Sequence, residues 1–252
     1  MAVMSVSGYL LGRVRSREAR LLTAADYAKY DYAAAATFEE LEQKLHYELD
    51  ELRRDLFWNT DIAELFWKKY DNHNLKILLK EKLTGQDLSA YLLRLGKNTL
   101  AEFDRALIEQ AAELYARTAD FGQMDYFLDQ KYFAELKKLA AKFSLPVRRY
   151  AQALADIADY KRAFTPENAA ETLRAKFPGL KLPEELNEGA VEKALDDYAA
   201  GLLFAGRYAF DAAAVFCYLL AKENEIKNLK TMYLSRAKGL AGLTAYLRRS
   251  YV

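Results

Sequence analysis

Three carboxylate, amide and ammonium sets recur along this chain at one spacing. They are Asp71-Asn-His-Asn74-Leu75-Lys76, Asp156-Ile-Ala-Asp159-Tyr160-Lys161 and Glu225-Ile-Lys-Asn228-Leu229-Lys230. The shared form is an acid, two residues, Asn or Asp, a large apolar residue, then Lys. The copies begin 85 and 69 residues apart. In a helix, the acid and the residue three later share one face. Asn and Asp are poor mid-helix residues, because their side chains compete for the backbone, so three such placements need a reason. One is helix starting, with Asp71 or Asn224 as N-cap. A second is a polar edge that fixes helix register. A third is a polar surface offered to one partner in three copies.

Catalytic patterns are absent from the sequence. The two histidines, His46 and His73, do not form H-x-x-x-H, and one cysteine cannot complete a zinc site. Gly201 and Gly206 have P-loop spacing, but Arg207 and Tyr208 stand where Lys and Ser or Thr hold phosphate and magnesium. No G-x-S-x-G or G-x-G-x-x-G occurs, and no acid pair stands out. The expectation is a protein without catalytic residues, metal or cofactor.

The elements that position the polar sets are helical. Hydrophobic residues make up 52% of 252, with only 4 Pro and 11 Gly. No run of alternating Val, Ile and Thr marks a strand. Thr37 and Glu40 read as a capping box opening a helix at Phe38 that carries Leu41, Leu45, Leu49, Leu52 and Leu56. Leu65 to Leu83 continue the helical spacing up to Gly85, a C-cap. Asn98 or Thr99 caps a helix through Phe103, Leu107 and Leu114. A break at Gly122 precedes a helix over 125–143, and Pro146 opens the next. Thr165-Pro166-Glu167 reads as a helix start and Phe177-Pro178-Gly179 as a turn. Later helices cover 188–203, 208–221 and 223–240, the last two continuous in one reading. Leu49-Asp50, Leu128-Asp129 and Leu195-Asp196 precede the polar sets and support the repeat slightly.

Charge argues against nucleic acid as partner, since 29% of residues are charged yet the net charge is +1. Arginines cluster locally at Arg13, Arg15, Arg17 and Arg20, and at Arg248 and Arg249. Cys217 lies in an apolar run and reads as a buried thiol in a reducing, cytoplasmic setting. No segment reaches the roughly 20 apolar residues of a membrane span, and the arginines follow the apolar N-terminal stretch, the reverse of a secretory signal. Eighteen tyrosines suit either contact surfaces or the edge of a helical core.

The chain resembles the C subunit of archaeal and bacterial V/A-type rotary ATPases, the relative of the eukaryotic V-ATPase d subunit. The resemblance is carried by Tyr9-Leu-Leu-Gly-Arg13-Val-Arg15, by Asp71 to Lys76, and above all by Lys222-Glu-Asn-Glu225-Ile226-Lys-Asn228-Leu229-Lys230, where the family has an E-I-x-N-L segment. The second set departs from it, with Asp159 and Tyr160 replacing Asn and Leu. The resemblance implies an all-α fold of three similar helical modules, 1–92, 93–167 and 168–252, in a funnel around a pseudo-threefold axis. It implies a non-catalytic subunit on the cytoplasmic face of the membrane sector. Its partners would be the central shaft subunits of the D and F type and the proteolipid ring. The nine polar positions, Asp71, Asn74, Lys76, Asp156, Asp159, Lys161, Glu225, Asn228 and Lys230, are then candidate partner contacts. The alternative is a stand-alone helical repeat scaffold.

Overall fold

The structure is a computed structural model. It describes residues 8–23, 26, 39–40, 43, 47, 50, 61–163, 169–184 and 186–249. The described residues form helices, turns and loops and contain no strand. None of their helices is long and apolar enough to cross a membrane. Of the helix expected from Phe38 to Leu56, residues 39–40, 43, 47 and 50 are described and are helical; its remaining residues, the start at Thr165-Pro166 and His46 lie outside the described residues. The chain divides into two compact units, Arg53–Ala140 and Met1–Leu52 with Ala141–Val252.

In the first of these, helices α2 (Asp61–Thr84), α3 (Arg105–Thr118) and α4 (Phe121–Ala140) pack together. Helix α2 turns Leu75 and Leu79 onto Ile108 and Ala111 of α3 and onto Met124 and Leu128 of α4. Full burial of each large side chain contributes about 1.5–3 kcal/mol. Gly85 stops α2 in a left-handed conformation (φ +68°), and its N–H bonds the Glu81 carbonyl at 2.8 Å. The expected cap at Asn98 or Thr99 serves a different turn. Glu102 accepts the N–H groups of Asn98 and Thr99, both at 3.0 Å, around a short 3-10 turn. Helix α3 starts later, because the Asp104 carboxylate caps the N–H of Ala106 at 2.7 Å. Helix α4 begins at Phe121, so the break lies at Ala119, itself left-handed.

In the second unit are α1 (Gly8–Glu18), α5 (Leu145–Ala163), α6 (Ala169–Lys176), α7 (Glu188–Phe204) and α8 (Ala212–Ala237). The last two helices expected from the sequence are continuous, as one of its readings had them, and form the single helix α8. Every residue from Ala212 to Ala221 is buried, as expected for a helix apolar on all sides. Phe216 meets Tyr150 of α5 edge-on at 5.4 Å, and α8 also packs on α1 and α7. Asn187 caps α7 through the N–H of Ala190, and Asp211 caps α8 through that of Ala213.

Candidate functional site

Asn74 lies one turn after Asp71 on α2 and is completely buried. Its Oδ1 accepts the Leu93 N–H at 2.8 Å, and its Nδ2 donates to the carbonyls of Leu93 at 2.8 Å and Lys97 at 2.9 Å. Asp71 Oδ1 accepts the Lys97 N–H at 2.9 Å. One amide and one carboxylate thus satisfy the backbone of an irregular segment that cannot satisfy itself. The segment approaches α2 so closely that a Cβ on Gly96 would stand 2.6 Å from the Tyr70 carbonyl oxygen.

Lys76 points elsewhere, pairing with Asp129 of α4 at 2.6 Å. It belongs to a ladder along the antiparallel pair. Lys68 bonds Glu135 at 2.7 Å, Asn72 bonds Asp129 at 2.8 Å, and Lys80 bonds Asp125 at 2.7 Å. The four α2 residues are each one turn apart. Such partly exposed pairs are worth about 0–1 kcal/mol each, so the ladder sets register more than stability.

The third polar set builds the same device. Asn228 is buried, accepts the Arg248 N–H at 2.7 Å and donates to the Arg248 carbonyl at 3.0 Å. Asn224 donates to the Arg249 carbonyl at 3.3 Å. From α7, Asp197 accepts the Arg249 N–H at 2.7 Å, and Asp196 accepts from Arg248 Nε at 3.2 Å. Glu225 is buried and holds another segment: it accepts the Leu22 N–H at 2.6 Å and the Lys222 ammonium. Lys230 is partly exposed on the same helix.

The two clamps match beyond the Asn. Gly85 and Gly239 each stand eleven residues after their Asn, at φ +68° and +64°. A 3-10 turn follows, Ser89–Tyr91 or Ala241–Tyr246, then an extended leucine, Leu92 or Leu247. The residue after that leucine is the one clamped. The sequence reading missed this second half. Its signal was present as Ser89-Ala-Tyr-Leu-Leu-Arg94 and Thr244-Ala-Tyr-Leu-Arg-Arg249.

The second polar set has a different setting. Asp156 is half-buried and accepts from the Gln152 amide at 2.9 Å. Asp159 is exposed, while the neighbouring Tyr160 is buried against Phe177. Lys161 pairs with Glu192 of α7 at 2.7 Å and holds that carboxyl below its ordinary pKa. Position 159 is exposed, where the buried amides at 74 and 228 hold backbone.

Among the described residues, no group of three or more His, Cys, Asp or Glu could hold a metal ion. His73 Nε2 lies 3.0 Å from the Tyr91 carbonyl, beside the first clamp. Cys217 is buried, with its thiol donating to the Leu203 carbonyl at 3.0 Å. Burial pushes this thiol well above its ordinary value near 9. The unfolded chain therefore loses the thiol proton first. The stability tied to the thiol is full below pH 9 and falls as pH rises, by about 1.4 kcal/mol per pH unit. Urea midpoints measured from about pH 8 to about pH 10.5 should fall less steeply in Cys217→Ala. An unchanged slope refutes this. No protein-family model matches the chain, and no curated protein matches it.

Proposed function

We propose that this chain is a non-catalytic rotor adaptor of a V/A-type rotary ATPase. In this reading it is a socket between the central shaft subunits and the membrane proteolipid ring, and it transmits torque for ATP-coupled proton or sodium transport. The modules 1–92, 93–167 and 168–252 form a funnel on the cytoplasmic face of the membrane. The observation that carries the reading is the duplicated clamp. The two polar sets most similar to the rotary-ATPase pattern, at Asp71 and Glu225, are also the two that build one local device. A torque adaptor needs irregular connections locked to helices, and each clamp locks one.

The burial of Asn74, Glu225 and Asn228 moves the shaft-contact role toward exposed groups such as Lys161 and Asp159. The same burial favours a second reading, a helical repeat scaffold for another protein, because the repeated residues maintain the fold. Affinity capture from detergent-solubilised membranes separates the two. The rotor reading expects shaft and ring subunits in the eluate, and a soluble protein in their place would favour the scaffold. Exchanging the Lys161–Glu192 pair (K161E/E192K) keeps the internal ion pair and swaps the positions of its two exposed charges. Shaft binding should weaken roughly threefold to tenfold and depend less on salt. Binding equal to wild type at low and high salt removes Lys161 as a contact.

A further inference from the structure

We propose that the loop between α7 and α8, with the helix ends beside it, binds the surface of an anionic phospholipid bilayer. Phe210 keeps 89% of its surface exposed and Tyr208 73%. The Arg207 guanidinium lies over the Tyr208 ring at 4.8 Å. Gly206 opens the loop against the start of α5, where a Cβ would come within 3.0 Å of the Pro146 ring. Beside Pro146, Leu145 is 48% exposed, and Arg148 and Arg149 are exposed as well. From α1, Arg15 reaches the Ala209 carbonyl at 3.4 Å.

The charge around these apolar tips is mostly positive. The chain holds 36 acidic residues, yet the three stretches that meet here, 8–17, 141–155 and 198–210, contain none. They supply Arg13, Arg15, Arg17, Lys142, Arg148, Arg149 and Arg207. The acids that border them in sequence are engaged within the chain. Glu18 pairs with Arg15 at 2.7 Å, and Asp211 caps α8 through the Ala213 N–H at 2.7 Å. Aromatic tips ringed by cations match a bilayer interface. Tyrosine and other aromatic rings settle at headgroup level, and each nearby Arg or Lys adds attraction to anionic lipid. A mostly cationic rim around exposed rings is complementary to an anionic headgroup plane over an apolar interior.

This goes beyond the rotor reading, and protein-free vesicles test it without any other component of the ATPase. The purified chain is sedimented with phosphatidylcholine vesicles, with and without about one third phosphatidylserine. Wild type should sediment with the anionic vesicles, and salt should release it. Tyr208→Ala with Phe210→Ala should weaken partitioning by about tenfold or more. Arg148→Gln with Arg149→Gln should weaken it by about tenfold on the anionic vesicles alone. All four positions are exposed, so far-UV circular dichroism should match wild type. Three results overturn the proposal: wild type that stays in solution, wild type that binds both vesicle types equally, and undiminished binding by the aromatic double variant. The first would leave the loop as a contact for an acidic protein surface.

Discussion

Asn74→Asp is expected to destabilise the Arg53–Ala140 unit by about 3 kcal/mol. The change is nearly isosteric, so packing is kept and chemistry alone decides. One oxygen still accepts the Leu93 N–H. The other replaces an NH2 that served the carbonyls of Leu93 and Lys97. It sets an anion against two acceptors in a fully buried site, where desolvation of an unpaired charge is costly. Asn228→Asp should behave alike, with a smaller loss, because its amide donates to one carbonyl. Asp159→Asn, at the matching but exposed position, should change stability by no more than about 0.5 kcal/mol. Urea unfolding of the three variants checks the series. Acid adds a further test, since protonating the N74D carboxyl restores one donor and should recover part of the loss. Similar losses at 74 and 159 would show that burial does not separate the polar sets.

Gly96→Ala is expected to cost about 2–3 kcal/mol through overpacking. The new methyl would meet the Tyr70 carbonyl oxygen at 2.6 Å and Asn74 Nδ2 at 2.8 Å. The carbonyl belongs to the middle of α2 and cannot retreat without bending the helix. The segment must therefore lift, which lengthens the Asn74 bonds. Hydrogen exchange should accelerate at the amides of Leu93 and Lys97, which Asn74 and Asp71 accept. Combining Gly96→Ala with Asn74→Ala should cost less than the sum of the two, because both break the same contact. Additive losses would mean that the clash relaxes without opening the clamp.

The helical class was legible because low Pro and Gly content and three- and four-residue apolar spacing point one way. Gly85 as a helix stop was legible for the same local reason. The cap at Asp104 was not, since Thr99 with Glu102 gives a valid box that closes a shorter turn. The polar sets were visible, but their direction was not. Spacing places Asn74 and Lys76 on different faces without saying which face is covered. The covering segment begins nineteen residues away from Asn74, beyond any helical period. Only matching Ser-Ala-Tyr-Leu with Thr-Ala-Tyr-Leu would have revealed it. The second set misled because Asp159 fits the pattern in letters but is exposed, although Tyr160 is buried just as Leu75 and Leu229 are at the same position.

The ladder between α2 and α4 also limits how two copies of this chain could pair through these edges. The α2 edge carries Lys68, Asn72, Lys76 and Lys80, and the α4 edge carries Asp125, Asp129 and Glu135. Two α2 edges from separate molecules repel, as do two α4 edges, so homotypic pairing is disfavoured from either side. The combination left open is α2 of one molecule against α4 of another, the same pairing made within one chain. Misassembly through these edges is therefore expected as domain swapping, which keeps the native ion pairs, and not as pairing of like edges.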